Sequence, residues 1–408
     1  MTSSVQPVKP RWPQWPEPDK RRAALFVAAC AGIFMFGIVL ALLGTLFGLP
    51  EMRARLGVDL AQQGDLLLLL FAGIFGATVV VGPLLDRFGS QPVLAVSSLL
   101  VAAALVGFWL ARWFAAAALS SVLLGLGGGG LNTSANVLVS DLYGDQRGPM
   151  LNVLGIFFGI GALFIPLVAA SLSALFTIGQ LLVFSACLAG LSMAAYGVLR
   201  FPRPRAAQSF SWRGALEVVR APGILLFGLL LFCQSGNEAS LGGWVSTYIG
   251  STGSQPRLAT WVLAGYWVAL MLGRTLAARL LRRMEKAQLV LLSGLGSVAG
   301  SALLVAAPSV GVMAVAAALI GLSFAAIYPT TLAMAGDRYP RFAGTVFGVL
   351  FSIALIGGGG FPWVIGQVSQ LVGVRYAMLL PLASAATICV LATRIMRFDS
   401  RITAASRQ

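Results

Sequence analysis

Acidic side chains are scarce in this 408-residue chain, 13 in all, and one of them sits where an acid is costly. Glu238 lies deep within the apolar run from Pro222 to Ile249, in the stretch Gln234-Ser235-Gly236-Asn237-Glu238 that continues through Gly242, Gly243 and Trp244 to Tyr248. An ionised carboxylate at the centre of a bilayer costs about 2.5–3.5 kcal/mol on insertion scales. A neighbouring group, a water-filled cavity or a proton must offset that cost. Two readings stand side by side: a solute or proton site, and a structural carboxyl bonded to another helix. A second polar cluster follows the glycine run Gly127–Gly130, where Asn132 and Asn136 are four residues apart and share one face of a helix. Two amides on one face suit a hydroxyl-rich ligand, since each offers donors and acceptors; hydrogen bonding between protein groups is the alternative. Asn152 adds an amide in the next apolar run, and Tyr328 a hydroxyl in a later one. Trp244, Tyr248, Trp261, Tyr266, Trp267, Tyr328 and Trp363 are the aromatic candidates for stacking on a sugar face, although Trp and Tyr also collect at membrane interfaces.

Much chemistry is excluded. The chain has no histidine, so histidine bases, relays and metal sites are out. Its four cysteines, Cys30, Cys187, Cys233 and Cys389, stand singly in apolar runs without metal or disulfide spacing, and read as small buried hydrophobes. No acid/base or nucleophile–base pair can be assembled, and no phosphate-binding loop of the Gly-x-x-x-x-Gly-Lys-Ser/Thr type occurs. We therefore expect no enzyme, no cofactor and no metal.

These residues need elements to carry them, and the composition names the kind. Of the residues 58% are hydrophobic and only 10% charged. Twelve runs are long enough to cross a bilayer, which takes about 20 residues of helix: 23–49, 63–85, 92–111, 113–139, 150–173, 175–199, 222–249, 258–281, 287–307, 309–335, 343–371 and 375–396. Without water, backbone groups in lipid must pair within the segment, so each run is a helix. The resulting organisation is a tail (1–22), six spans (23–199), a polar linker (200–221), six more spans (222–396) and a second tail (397–408). The first run is too long for a cleavable signal and lacks a clean cleavage site.

Charge placement supports this count. Of 28 Lys and Arg residues, 22 fall on the side that holds both tails and the linker; Arg53, Arg55, Arg112, Arg257 and Arg375 fall on the other, and Arg274 lies within a span. The positive-inside rule then places both termini in the cytoplasm, and the formal net charge of +15 faces anionic lipid rather than nucleic acid. The halves also repeat. Leu84-Leu85-Asp86-Arg87 matches Leu280-Leu281-Arg282-Arg283, and Leu124-Gly125-Leu126 matches Ile320-Gly321-Leu322, both at an offset of 196. That offset pairs Asn132 with Tyr328. Parallel repeats point to a transporter with its site between the halves.

The turn after the second span, Gly82-Pro83-Leu84-Leu85-Asp86-Arg87-Phe88-Gly89, resembles the signature between spans two and three of the major facilitator superfamily. The family's following basic pair is replaced by Ser90 and Gln91. Several stretches resemble the fucose permease-like and sugar-transporter-like branch: the glycine run before Asn132-Thr133-Ser134-Ala135-Asn136, Leu151-Asn152 through Pro166, Gly236 and Glu238 with Trp244 and Tyr248, Gly273-Arg274, and Tyr328-Pro329. The resemblance implies an all-α integral membrane protein with twelve transmembrane helices in two pseudo-symmetric six-helix bundles. It implies a cytoplasmic gate at Gly82, Asp86, Arg87 and Gly89. Proton-coupled sugar symporters of the branch carry an acid in span one and a Glu in span four, whereas span one here has no charged residue and Asn132 stands in span four. Either Glu238 takes over proton coupling or the protein is a facilitator.

The expectation is a monomeric transporter in the bacterial inner membrane, moving a small polar solute, foremost a sugar, by alternating access with or without protons. Its site would comprise Asn132, Asn136, Asn152, Gln234, Asn237, Glu238 and Tyr328, with Glu238 coupling protons. The alternative is proton-coupled efflux of drugs or other small metabolites.

Overall fold

A computed structural model describes residues 20–172, 177–202, 223–339 and 343–405. The N-terminal tail up to residue 19 and the linker from 203 to 222 lie outside the described residues, so the expected division at 200–221 is not seen. Twelve described helices are long and apolar enough to cross a membrane. They are α1 (Lys20–Phe47), α2 (Leu60–Phe88), α3 (Ser90–Leu110), α4 (Phe114–Tyr143), α5 (Arg147–Ser171) and α6 (Ile178–Val198). Then come α7 (Ile224–Ser251), α8 (Pro256–Leu280), α9 (Lys286–Ala306), α10 (Val310–Arg338), α11 (Ala343–Val372) and α12 (Leu379–Ala405). Each matches an expected span, and α12 runs past the expected start of the C-terminal tail. A short helix, Pro50–Leu56, precedes α2 and was not expected.

Local chemistry sets the ends. Asp59 accepts a bond from the Gln62 amide while the Gln62 side chain bonds back to Asp59, a reciprocal cap that starts α2. Thr177 with Gln180 and Glu285 with Gln288 start α6 and α9 in the same way. Gly89 holds φ +80° in the turn that separates α2 from α3, a conformation that costs a residue with a Cβ.

The two halves pack alike. The contacts α2–α4, α3–α4, α1–α5 and α3–α6 recur as α8–α10, α9–α10, α7–α11 and α9–α12. Glycines at corresponding positions let backbones touch. A Cβ on Gly125 would stand 2.0 Å from the Leu70 carbonyl oxygen, and one on Gly321 2.6 Å from that of Tyr266; both glycines and both carbonyls are related by 196. A Cβ on Gly161 would meet the Phe34 oxygen at 2.0 Å, and one on Gly357 the Phe232 oxygen at 2.1 Å. Small residues in such places permit the close van der Waals packing that holds helices together in lipid. The repeat read from short sequence matches is thus a repeat of contacts.

Three helix pairs make the main contacts between the halves among the described residues: α1–α7, α2–α11 and α5–α8. We call the end carrying the chain termini the terminal end, and the opposite one the distal end. The distal end is closed. Gly44 of α1 lies against α7 so tightly that its Cβ would stand 1.8 Å from the Gly242 oxygen, and the Cβ of Gly64 would stand 3.0 Å from the Gly366 Cα. Gln63 donates to Thr247 Oγ1 (3.0 Å), and Thr247 to the Phe47 oxygen (3.3 Å). Asp65 Oδ1 accepts from Trp363 Nε1 (2.9 Å) and Gln367 Nε2 (3.2 Å). Arg257 of α8 donates to the Ala170 oxygen of α5 at 2.9 Å.

Three of the five arginines that charge counting placed on the distal side have a specific task there. Arg55 donates to the Phe108, Trp109 and Ala111 oxygens at the end of α3, Arg257 to α5, and Arg375 to the Val305 oxygen at the end of α9. A cation there pairs with the last carbonyls and the negative end of the helix dipole. Burial pushes the Arg53 and Arg55 guanidinium groups down from their ordinary value, and Arg112 adds to the effect on Arg55.

Candidate functional site

Glu238 is the fifteenth residue of the 28-residue α7, about 20 Å from either helix end at 1.5 Å per residue. Its side chain is half-buried. Its carboxylate accepts a hydrogen bond from the Gln234 side chain one turn earlier on α7; among the described residues it has no ion pair and no hydrogen bond to another helix. Within its electrostatic reach are Arg274 of α8, Tyr266 of α8 and Tyr328 of α10. Arg274 is the cation that sequence reading noted inside a span without assigning it a role. It is half-buried, and its guanidinium lies 5.6 Å from the Phe158 ring centroid on α5. That contact joins the two halves, because α5 belongs to the first and α8 to the second. Phe158 also meets Trp267 edge to face at 6.3 Å, and Trp267 meets Tyr266 at 5.2 Å. The Tyr266 hydroxyl and the Trp267 Nε1 are buried with no hydrogen-bond partner.

The other expected residues divide by location. Asn136 Nδ2 donates to the Asn132 backbone oxygen (2.8 Å) and to Asn132 Oδ1 (3.0 Å). The predicted shared face exists, and the two amides bond to each other along it, with Asn132 Nδ2 and Asn136 Oδ1 making no further hydrogen bond among the described residues. Both are half-buried. Asn152 is exposed on α5, the sixth residue from its start at the terminal end. Tyr328 is half-buried, its ring 6.0 Å from that of Phe351.

Gln234 and Asn237 are fully buried. Gln234 Nε2 ties α7 to α10 through the Phe324 oxygen at 3.3 Å, and its Oε1 has no partner. Neither amide atom of Asn237 has one. Asn237 is one residue from Glu238, hence about 100° around the helix. It lies on the side of Trp244, whose Nε1 donates to the Pro362 oxygen of α11, inside the second half. Of the other aromatic candidates, Tyr248 is spent on the Leu304 oxygen of α9, and Trp261 is exposed.

At the terminal end, Asp86 and Arg87 are exposed. Arg87 stacks 5.1 Å from the centroid of its neighbour Phe88, and Asp86 has no ion pair among the described residues. Gly82 is half-buried in α2, and Gly89 makes the turn already described. Sequence reading also missed Asp65. Its signal was present, an acid at the edge of the second apolar run, but its partners Trp363 and Gln367 are about 300 residues away.

Comparison with known proteins follows this geometry. The family model of the Major Facilitator Superfamily matches residues 27–253 and 227–407. The chain is 31% identical over 142 residues to sodium-dependent glucose transporter 1 of Rattus norvegicus, a match covering 34% of this chain and 28% of that protein. The same-named protein of Danio rerio is 26% identical over 220 residues, covering 52% of this chain and 36% of that protein. The chain thus spans about a third of the length of these relatives. Among solved structures, a variant of the nucleoside transporter NupG superposes with a TM-score of 0.76 at 15% identity, covering 92% of this chain and 99% of that one. A variant of the E. coli fucose:proton symporter FucP gives 0.64 at 20% identity, covering 91% and 98%. The chain shares their fold; with a family match running through both halves, it belongs to the Major Facilitator Superfamily and is a multi-pass membrane protein.

Proposed function

We propose that this transporter moves a small polyhydroxylated solute, a sugar, and that Glu238 couples its movement to protons. The observation that carries the reading is a carboxylate halfway along α7 with no ion pair among the described residues, bonded only within its own helix to Gln234 and within electrostatic reach of Arg274, Tyr266 and Tyr328. A carboxylate in a membrane span with no ion pair is costly, and one hydrogen bond offsets only part of that cost. Hydroxyl groups of a solute supply further hydrogen bonds to Glu238, and a proton removes the charge when the site crosses the membrane. Asn132 and Asn136 offer a free donor and a free acceptor to the same solute. Rocking of the two halves about this site exposes it to each side in turn. The matched relatives named for glucose transport and the fold shared with a fucose:proton symporter agree with a sugar as solute. The positive-inside bias supports termini in the cytoplasm and the distal end facing out; a bacterial inner membrane and a monomeric working unit are part of the same proposal.

A second reading, proton-coupled efflux, draws on a match at 29% identity over 194 residues to multidrug resistance protein MdtL of Shewanella sp.. Counterflow separates the two. Vesicles holding the protein are preloaded with one hexose, deoxyhexose or disaccharide, and uptake of the labelled sugar is followed with no ion gradient. Transient accumulation of one sugar is the expected result. Its absence across the panel, with folded protein in the vesicles, transfers the assignment to efflux.

A further inference from the structure

Glu238 and Arg274 are opposite charges within two adjacent helices, yet among the described residues no ion pair joins them, and Glu238 has a hydrogen bond only from Gln234 of its own helix. Their side chains are half-buried, so each keeps some accessible surface. Each lies within electrostatic reach of the other. Both charges lie within membrane spans, where each costs insertion energy. Arg274 could reduce this cost by closing on Glu238, but its guanidinium instead lies over Phe158, close enough to Gly155 that a Cβ there would stand 3.7 Å from Nη1. Two opposite charges that do not pair with each other can both be engaged by one ligand.

We propose that Arg274 binds the solute directly and that Arg274 and Glu238 together select a neutral pair of adjacent hydroxyl groups. The inference rests on the sugar reading above and sharpens it. Arg274 brings only donors, five N–H groups in a rigid fork, and ionised Glu238 only acceptors. A hydroxyl is both donor and acceptor, so adjacent hydroxyls take hydrogen bonds from the fork through their oxygens and give their protons to the carboxylate. The pair has no net charge. An anion would meet Glu238 and a cation Arg274, and each would pay for the like-charged neighbour. The Phe158 and Trp267 rings beside the guanidinium offer an apolar wall to the C–H face of a sugar ring. Arginine suits the place because lysine lacks the planar fork.

The test is a cycle of protein and ligand changes in the same vesicles. Wild type, Arg274→Gln and Arg274→Lys are purified, checked for a monodisperse folded species, and assayed for counterflow of the sugar that wild type transports. Each of its single-deoxy analogues is assayed alongside. The expected result is one analogue whose half-saturation concentration in wild type is about 10- to 100-fold above the parent, the size implied by losing a hydrogen bond to a charged group. In Arg274→Gln, parent and analogue become equal, with Arg274→Lys in between. Equal losses for every ligand in both variants would give Arg274 a structural role and overturn the proposal while leaving sugar transport intact. Counterflow of a zwitterionic amino acid by wild type would overturn the selection of hydroxyls. Failure of wild type with every sugar would instead overturn the sugar reading.

Discussion

The contact at Asp65 sets a quantity that can be measured. One carboxylate oxygen of α2 accepts two hydrogen bonds from α11, from Trp363 Nε1 at 2.9 Å and Gln367 Nε2 at 3.2 Å. Both cross between the halves at the closed distal end, and both must break for that end to open. A hydrogen bond to a charged group contributes about 1.5–3 kcal/mol net when buried. Asp65 is half-buried and Trp363 is 39% exposed, so water offsets part of each bond, and we take about 2 kcal/mol for the two together. Asp65→Ala should therefore lower the ratio of distal-closed to distal-open protein about 30-fold. Asp65→Asn keeps an acceptor without the charge and should fall between. The assay is a distance distribution between spin labels on Cys residues introduced at the exposed distal positions Glu51 and Gln255, with the exposed Cys187 and the partly buried Cys389 replaced by Ser. The longer-distance population should grow from wild type through Asp65→Asn to Asp65→Ala. Identical distributions in all three would refute the claim that these bonds hold the distal end shut.

Other expectations follow from the same geometry. Gly44→Ala puts a Cβ 1.8 Å from the Gly242 oxygen, and backbone on both sides leaves parting of α1 from α7 as the remaining relief. The same spin-label pair should report more open protein, and an unchanged distribution would mean that α1 and α7 do not seal that end. Gly125→Ala and Gly321→Ala crowd contacts within one half, 2.0 Å from the Leu70 oxygen and 2.6 Å from the Tyr266 oxygen. Overpacking of this kind costs about 1–3 kcal/mol, so both should lower Tm in detergent, and neither change alone would argue that these contacts are slack. Arg55→Ala leaves the carbonyls of Phe108, Trp109 and Ala111 without their cation; a lower Tm with counterflow intact is expected, and lost counterflow at unchanged Tm would give Arg55 a place in the cycle.

The bilayer explains why so much of the fold was legible. It fixes helix length and forbids unpaired backbone, so apolar run lengths alone located α1 to α12. The repeat was legible because close packing at Gly125 and Gly321 needs glycine at one offset. Which side of a helix faces which neighbour was harder to read. Gln234, Asn237 and Glu238 sit close together in sequence, yet the first two are fully buried, Gln234 tied to α10 and to the Glu238 carboxylate, and that carboxylate is within electrostatic reach of Arg274 on α8. Helical phase separates Asn237 from Glu238 but does not say which side meets the other half. Arg274 was visible as a cation in a span. Its opposition to Glu238 depends on the rotation of α8 against α7, which periodicity leaves free. Asp65 escaped notice because it lies within one turn of the expected start of its apolar run, where an acid costs little and draws no attention.

The central claim is that Glu238 carries the proton that drives solute movement. The direct test measures sugar accumulation under an imposed pH gradient, and sugar exchange without one, in vesicles of wild type and of Glu238→Gln, which imitates the protonated side chain. The account predicts that wild type does both and that Glu238→Gln exchanges sugar but accumulates none. A variant that accumulates sugar as wild type does would contradict it.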